Sequence, residues 1–190
     1  MSGLRERWDA LVDLAARDMP AQTVRAGRAF VRDNPEFAAA WMLVAEALSD
    51  LARYEEAEQA YAKALEHMSD DGKRLALAGL GHLFRAAGDY EQAASWYRKA
   101  IDAAPNNAGY PIYLGAVLAK QGRLHEAEEA HRTALTCDEG DISEAYWNLG
   151  SVLRSRDRFA DAAECFRAAL LLDPDYAEAK AALDDVLGCY

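Results

Sequence analysis

Cysteine is scarce and badly spaced in this 190-residue chain: Cys137, Cys165 and Cys189 form no CxxC pair and leave an odd number. That argues against a disulfide framework and against a structural zinc site. Three reduced thiols are expected, with Cys189, one residue from the end, open to adventitious cross-linking in air. Proline is limited to five residues while Ala, Leu, Glu and Arg abound, a balance that favours helix. No apolar run approaches the roughly 18 residues a membrane span needs. The opening stretch MSGLRERWDALVDLAARD alternates charged and apolar residues, where a secretory signal needs an unbroken apolar segment. A cytoplasmic location without a membrane partner is the expectation. Positive charge is in deficit, 21 Lys and Arg against 32 Asp and Glu, for a net charge of −11. Such a balance disfavours nucleic acid, whose phosphates need a basic surface, and keeps a chain soluble. With 52% hydrophobic residues, the chain can still bury a core.

What the sequence does have is a period. Leu80-Gly81, Leu114-Gly115 and Leu149-Gly150 recur at steps of 34 and 35 residues, and Val44-Ala45 falls in the same slot 36 residues earlier. Four repeats result, at about 38–73, 74–107, 108–142 and 143–176. The eighth position reads Ala45, Gly81, Gly115, Gly150, the twentieth Ala57, Ala93, Ala127, Ala162, and the twenty-seventh Ala64, Ala100, Ala134, Ala169. Small residues at these places let two helix backbones approach closely at a crossing. Larger ones fill the space around it, such as Trp41, Leu77, Pro111 and Tyr146 at the fourth position and Leu48, Phe84, Leu118 and Leu153 at the eleventh. Gly88-Asp89 and Gly122-Arg123 fall in the turn within a pair; Pro105 and Pro174 follow the second helix.

This pattern resembles the tetratricopeptide repeat over residues 38 to 176. The fourth repeat matches best, with Tyr146, Leu149-Gly150, Phe159, Ala162, Phe166, Ala169 and Pro174. The third departs most: Pro111 takes the aromatic slot, His131 the aromatic at position twenty-four, and Glu139 the usual proline. Proline is tolerated in a first turn, so that helix is expected to start late rather than break. The resemblance implies an all-α, right-handed superhelical solenoid of antiparallel helix pairs. Residues 1–36 read as a divergent first pair, with a second helix beginning at Pro20 and ending at Asn34-Pro35. Residues 177–190 read as a capping helix and tail, a common feature of the family that would cover the last repeat's apolar face.

Motifs for chemistry are weak. HEAEEAH, residues 125–131, places its histidines six apart, about 240° around a helix, so they cannot share a metal as HExxH does; in the repeat frame His131 packs and His125 is exposed. Gly79-Leu80-Gly81 lacks the third glycine and the preceding strand of a dinucleotide loop. No catalytic, metal or cofactor-binding residue is expected.

The resemblance also implies a binding surface. First helices of the family line a concave groove that holds extended peptides or partner helices, through positions two, five, six, nine, twelve and thirteen. Here those positions offer Met42, Leu43, Glu46 and Asp50, then His82 and Arg85, then Ile112, Tyr113 and Lys120, and last Trp147, Asn148, Ser151 and Arg154. Most of the negative charge is expected elsewhere, on second helices such as YEEAEQAYAKALE and LHEAEEAH. Tyr113 and Trp147 offer rigid apolar contact, Asn148 both donor and acceptor, and Arg85, Lys120 and Arg154 attraction for carboxylates. The implied ligand is a protein or peptide with acidic or aromatic groups. The branch that clamps acidic chaperone tails needs Lys and Asn at positions five and nine. The first three repeats hold Met42 with Glu46, Ala78 with His82 and Ile112 with Ala116, so that ligand is not expected. The expected function is a non-catalytic interaction module or adaptor. The alternative is a scaffold that self-assembles into homo-oligomers through array ends or groove.

Overall fold

The structure is a computed structural model that describes residues 2–188, so Cys189 lies outside the described residues. Among the described residues the regular elements are all helical: α1 (Ser2–Ala16), α2 (Pro20–Asp33), α3 (Ala38–Asp50), α4 (Tyr54–His67), α5 (Asp70–Ala86), α6 (Tyr90–Ala103), α7 (Gly109–Lys120), α8 (Leu124–Ala134), α9 (Ile142–Arg154), α10 (Phe159–Leu172) and α11 (Ala177–Leu187). They fall into two compact units, residues 1–92 and 93–190.

Second helices start by a shared device. Arg53, Arg123 and Arg158 precede α4, α8 and α10, and each guanidinium reaches the acid three residues on: Arg53 Nε to Glu56 at 2.7 Å, Arg123 Nε to Glu126 at 2.7 Å, Arg158 Nε to Asp161 at 2.7 Å. The paired carboxylate sits in the first turn, where the helix dipole favours negative charge. Just before them, Ala52 and Asp157 adopt positive φ (55° and 57°), as Gly88 and Gly122 do.

In the first unit, Trp8, Phe30 and Phe37 form an aromatic triangle with centroids 4.7–5.8 Å apart, packed with Leu11, Val31 and Ala40. α2 begins at Pro20 and is capped at Asn34, whose Nδ2 donates to Phe30 O at 3.0 Å. α1 and α2 are therefore a helix pair whose core is shared with α3.

In the second unit, the small eighth-position residues face rings. A Cβ built on Gly115 would lie 2.4 Å from the His131 imidazole, and one on Gly150 2.6 Å from the Phe166 ring. Leu149, Leu153, Ala162 and Phe166 form a core that Val186 of α11 joins, and Val186 is fully buried there. The C-terminal helix thus covers the last pair. α7 starts at Gly109 with Pro111 in its first turn and remains unbroken. Where proline was usual, Glu139 bridges the preceding loop instead: Ala108 N donates to Glu139 O at 2.8 Å and Glu139 N to Asn106 O at 3.1 Å. Gly140 follows at φ 105°, backbone space that other residues rarely enter. Cys137 is buried and Cys165 half-buried, both as free thiols; burial pushes the Cys165 thiol up to about 11.

Candidate functional site

The expected groove residues divide between the units. His82 and Arg85 lie on α5 in the first; Tyr113, Lys120, Trp147, Asn148, Ser151 and Arg154 lie on α7 and α9 in the second.

On α5, His82 is half-buried and Arg85 exposed in the last turn. Burial, then the Arg85 charge, lowers the His82 pKa, so the imidazole is neutral at neutral pH. Earlier in this unit, Leu43, Glu46 and Asp50 border a small cavity of about 70 Å³ with Asp18 and Met19. Glu46 keeps part of its surface in solvent, yet desolvation, with Asp50 adding to it, raises its carboxyl pKa.

The second unit gathers more. α9 opens with Asp141, whose carboxylate accepts from Glu144 N at 3.0 Å. That start sets Trp147, Asn148, Ser151 and Arg154 along the helix at spacings of three and four, on one face. All four are half-buried. The Trp147 ring packs on the edge of the Leu149–Phe166 core and meets Tyr176, which enters from the turn before α11, with centroids 5.9 Å apart and planes tilted by 40°. Asn148 Nδ2 donates to Glu144 O at 3.0 Å, and Ser151 Oγ to Trp147 O at 3.0 Å. That bond leaves the Asn148 acceptor oxygen and one N–H outside it. Arg154 Nη1 donates to Asp185 of α11 at 2.8 Å, which ties the end of α9 to the capping helix.

On α7, Tyr113 is half-buried with its ring 5.6 Å from Tyr97, and Lys120 is exposed at the end. Ile112 is a correction: at 2% exposure it belongs to the core with Ala108, Ala134 and Ala145, not to a surface. That cluster brings α7 against the end of α8 and the first turn of α9, which covers Ile112. Trp96 is half-buried on α6, and Lys99 Nζ sits 3.6 Å from its ring centroid, a cation–π contact.

Sequence reasoning did not mark Tyr176, Glu144 or Asp185, which frame the α9 face. Burial first, then the Glu144 and Glu178 carboxylates, raises the Tyr176 phenol to about 12, so it remains a neutral hydrogen-bonding group. An aromatic directly after Asp173-Pro174-Asp175, at the entrance to the last helix, was the one available signal. Histidine placement follows the repeat frame: His125 is exposed beside Glu129, whereas His131 is 1% exposed with no partner for Nδ1. Among the described residues no cluster of His, Cys, Asp and Glu could hold a metal ion, and no helix is long and apolar enough to cross a membrane.

Three profiles described as tetratricopeptide repeat match residues 36–106, 79–142 and 143–176. The mouse DnaJ homolog subfamily C member 7 is 32% identical over 113 residues, 58% of this chain but 23% of that relative's length. The chain therefore corresponds to under a quarter of that protein. Among solved structures, MamA (41-end) from Desulfovibrio magneticus RS-1 superposes with a TM-score of 0.75 at 20% identity, over 92% of this chain and 97% of that one. YrrB, titled a TPR protein with an unusual peptide-binding site, superposes with a TM-score of 0.68 at 19% identity, over 90% and 87%. At such identities the likeness is one of fold.

Proposed function

Because this chain belongs to the tetratricopeptide repeat family, we propose that it is a non-catalytic adaptor of the cytoplasm that holds a peptide or partner segment against the first helices of its repeats. The observation that carries this is the α9 face. There a half-buried Trp147 in tilted contact with Tyr176 stands beside the unused acceptor of Asn148. Ring pairs of this kind bury apolar side chains at low entropic cost, and a side-chain amide can pair with an extended backbone. The peptide-binding site named for YrrB is consistent with that use of the fold. Within this reading Tyr113 and Lys120 extend the contact along α7, and His82 and Arg85 serve the first unit in the same way. Arg154 acts with Asp185 as a support as much as a contact.

The test is affinity capture from native cell extract with the wild type and Trp147→Ala/Asn148→Ala, after circular dichroism has shown equal helicity. A specific protein held by the wild type and lost by the variant is the expected result. Equal recovery by both would sink the α9 reading. Arg154→Glu is unsuitable as a first variant, because it would set two carboxylates against each other at the α9–α11 junction.

A second reading, self-assembly, rests on Leu171 and Leu172 at the end of α10, which are 84% and 56% exposed. Light scattering at rising concentration addresses it. A monomer throughout removes it, and an oligomer dispersed by Leu171→Glu/Leu172→Glu supports it.

A further inference from the structure

α2 is at odds with the rest of the chain. Residues 19–32 carry Arg25, Arg28 and Arg32 and no carboxylate, in a protein with 32 acidic and 21 basic residues. The three are spaced i, i+3, i+7, so they share one face of the helix over about 10 Å. Arg53, from the turn after α3, completes a shallow groove of about 500 Å³ whose floor is Ala21, Val24 and Ala29. No acidic side chain lines it.

The guanidiniums are partly organised in advance. Glu56 of α4 takes Arg53 in a bidentate pair at 2.7 and 2.8 Å and also accepts from Arg28. One carboxylate thus fixes two arginines, whose remaining N–H groups are available to a ligand. Arg32 is 77% exposed, and its contact, 3.5 Å to Asp33, is to a carboxylate that already accepts from Arg7 at 2.9 Å. Four arginines against two carboxylates, Glu56 and the Asp33 that Arg7 shares, leave the groove with an excess of positive charge.

We propose that this groove is a second binding site, separate from the α9 face, for a carboxylate-rich helical segment of a partner protein. A single phosphate would need guanidiniums that converge on one free point, and the point where Arg28 and Arg53 converge is already held by Glu56. Arg25, Arg28 and Arg32 are instead strung along α2 turn by turn, matching glutamates spaced i, i+3, i+7 on a facing helix, with the alanine and valine floor taking that helix's small apolar residues. Charge complementarity selects the occupant, and Glu56 shows that two of the four, Arg28 and Arg53, donate to a carboxylate here.

The experiment is fluorescence anisotropy with a labelled alanine-based helix bearing glutamates at i, i+3 and i+7. Its lysine counterpart and a peptide with one phosphoserine run beside it, at about 50 and about 300 mM salt. Binding of the glutamate helix alone is expected, weakened by salt and reduced about tenfold or more in Arg25→Glu/Arg32→Glu. Both positions are exposed, and circular dichroism checks that the variant is folded. Trp147→Ala/Asn148→Ala should leave this binding unchanged. The proposal is overturned if the glutamate helix fails to bind at low salt, if the phosphoserine peptide binds better, or if the α9 variant abolishes binding. It is equally overturned if the chain self-associates in light scattering through these same arginines, since the occupant would then be a second copy.

Discussion

His131 holds the place that Tyr61 and Phe166 hold in the first and fourth repeats, and its imidazole fills the space a larger ring would take against Gly115. Burial with no partner for Nδ1 favours the neutral form and lowers its pKa to about 4. In the unfolded chain the ordinary value is about 6.5. Between those values the unfolded state binds a proton that the folded state does not, so stability falls as pH drops from about 6.5 toward about 4 and this group adds no further loss below that. Its full contribution is on the order of 3 kcal/mol. Urea midpoints measured at pH 7 and at pH 4.5 should separate in the wild type and draw together in His131→Phe. An unchanged separation in the variant would remove His131 as the cause.

At the scale of elements, the acidic outer helices are less uniform than their composition implies. The sequence placed negative charge on LHEAEEAH, away from the groove, and the Glu128 side chain there is only 8% exposed. It accepts from Arg132 Nη2 at 2.9 Å on its own helix and from Arg158 Nη1 at 3.0 Å at the start of α10, and it contacts Arg156 in the turn between α9 and α10. Burial alone would raise this carboxyl, but the arginine hydrogen bonds and charges outweigh it and leave the pKa below the usual range. Glu128 therefore pins α8 to the α9–α10 turn. Removing its charge leaves three arginines gathered around a neutral group. Glu128→Gln should cost about 2 kcal/mol at pH 7, less than a fully buried pair because the arginines stay partly solvated. The deficit should shrink as pH falls through the folded pKa, where the wild type loses the same charge. Thermal melts across that range check both the size and the sign.

At the scale of the whole molecule, repeat architectures couple neighbours more strongly than distant parts. A lesion in one pair should therefore spread outward and fade. Gly115→Leu, which drives a side chain into His131, should lower amide hydrogen-exchange protection in α7 to α10 well before it lowers that in α1 and α2. Loss of equal size across residues 2–188 would show a single cooperative block instead. The same locality explains how one chain can carry a basic groove on α2 and an aromatic face on α9 without either setting the net charge.

The sequence by itself determined the helix pairs. Contact between successive helices is made by residues at fixed positions in the period, and a small residue opposite a ring, as at Gly150 and Phe166, can be read as spacing. The irregular third repeat was legible in part: Pro111 in the first turn leaves α7 unbroken, but the helix begins ahead of it, at Gly109, rather than late. Tertiary structure alone decided who meets whom at the surface. The pairing of Arg154 with Asp185, the ring contact of Trp147 with Tyr176, the three arginines around Glu128 and the groove of Arg25, Arg28, Arg32 and Arg53 join residues from different helices or turns. Long charged side chains and rings reach several ångströms beyond the backbone, so their partners are set by how helices lie against each other. Ile112 marks the same boundary: its position in the repeat assigned it to a surface, and packing against Ala134, Cys137 and Ala145 placed it in the core.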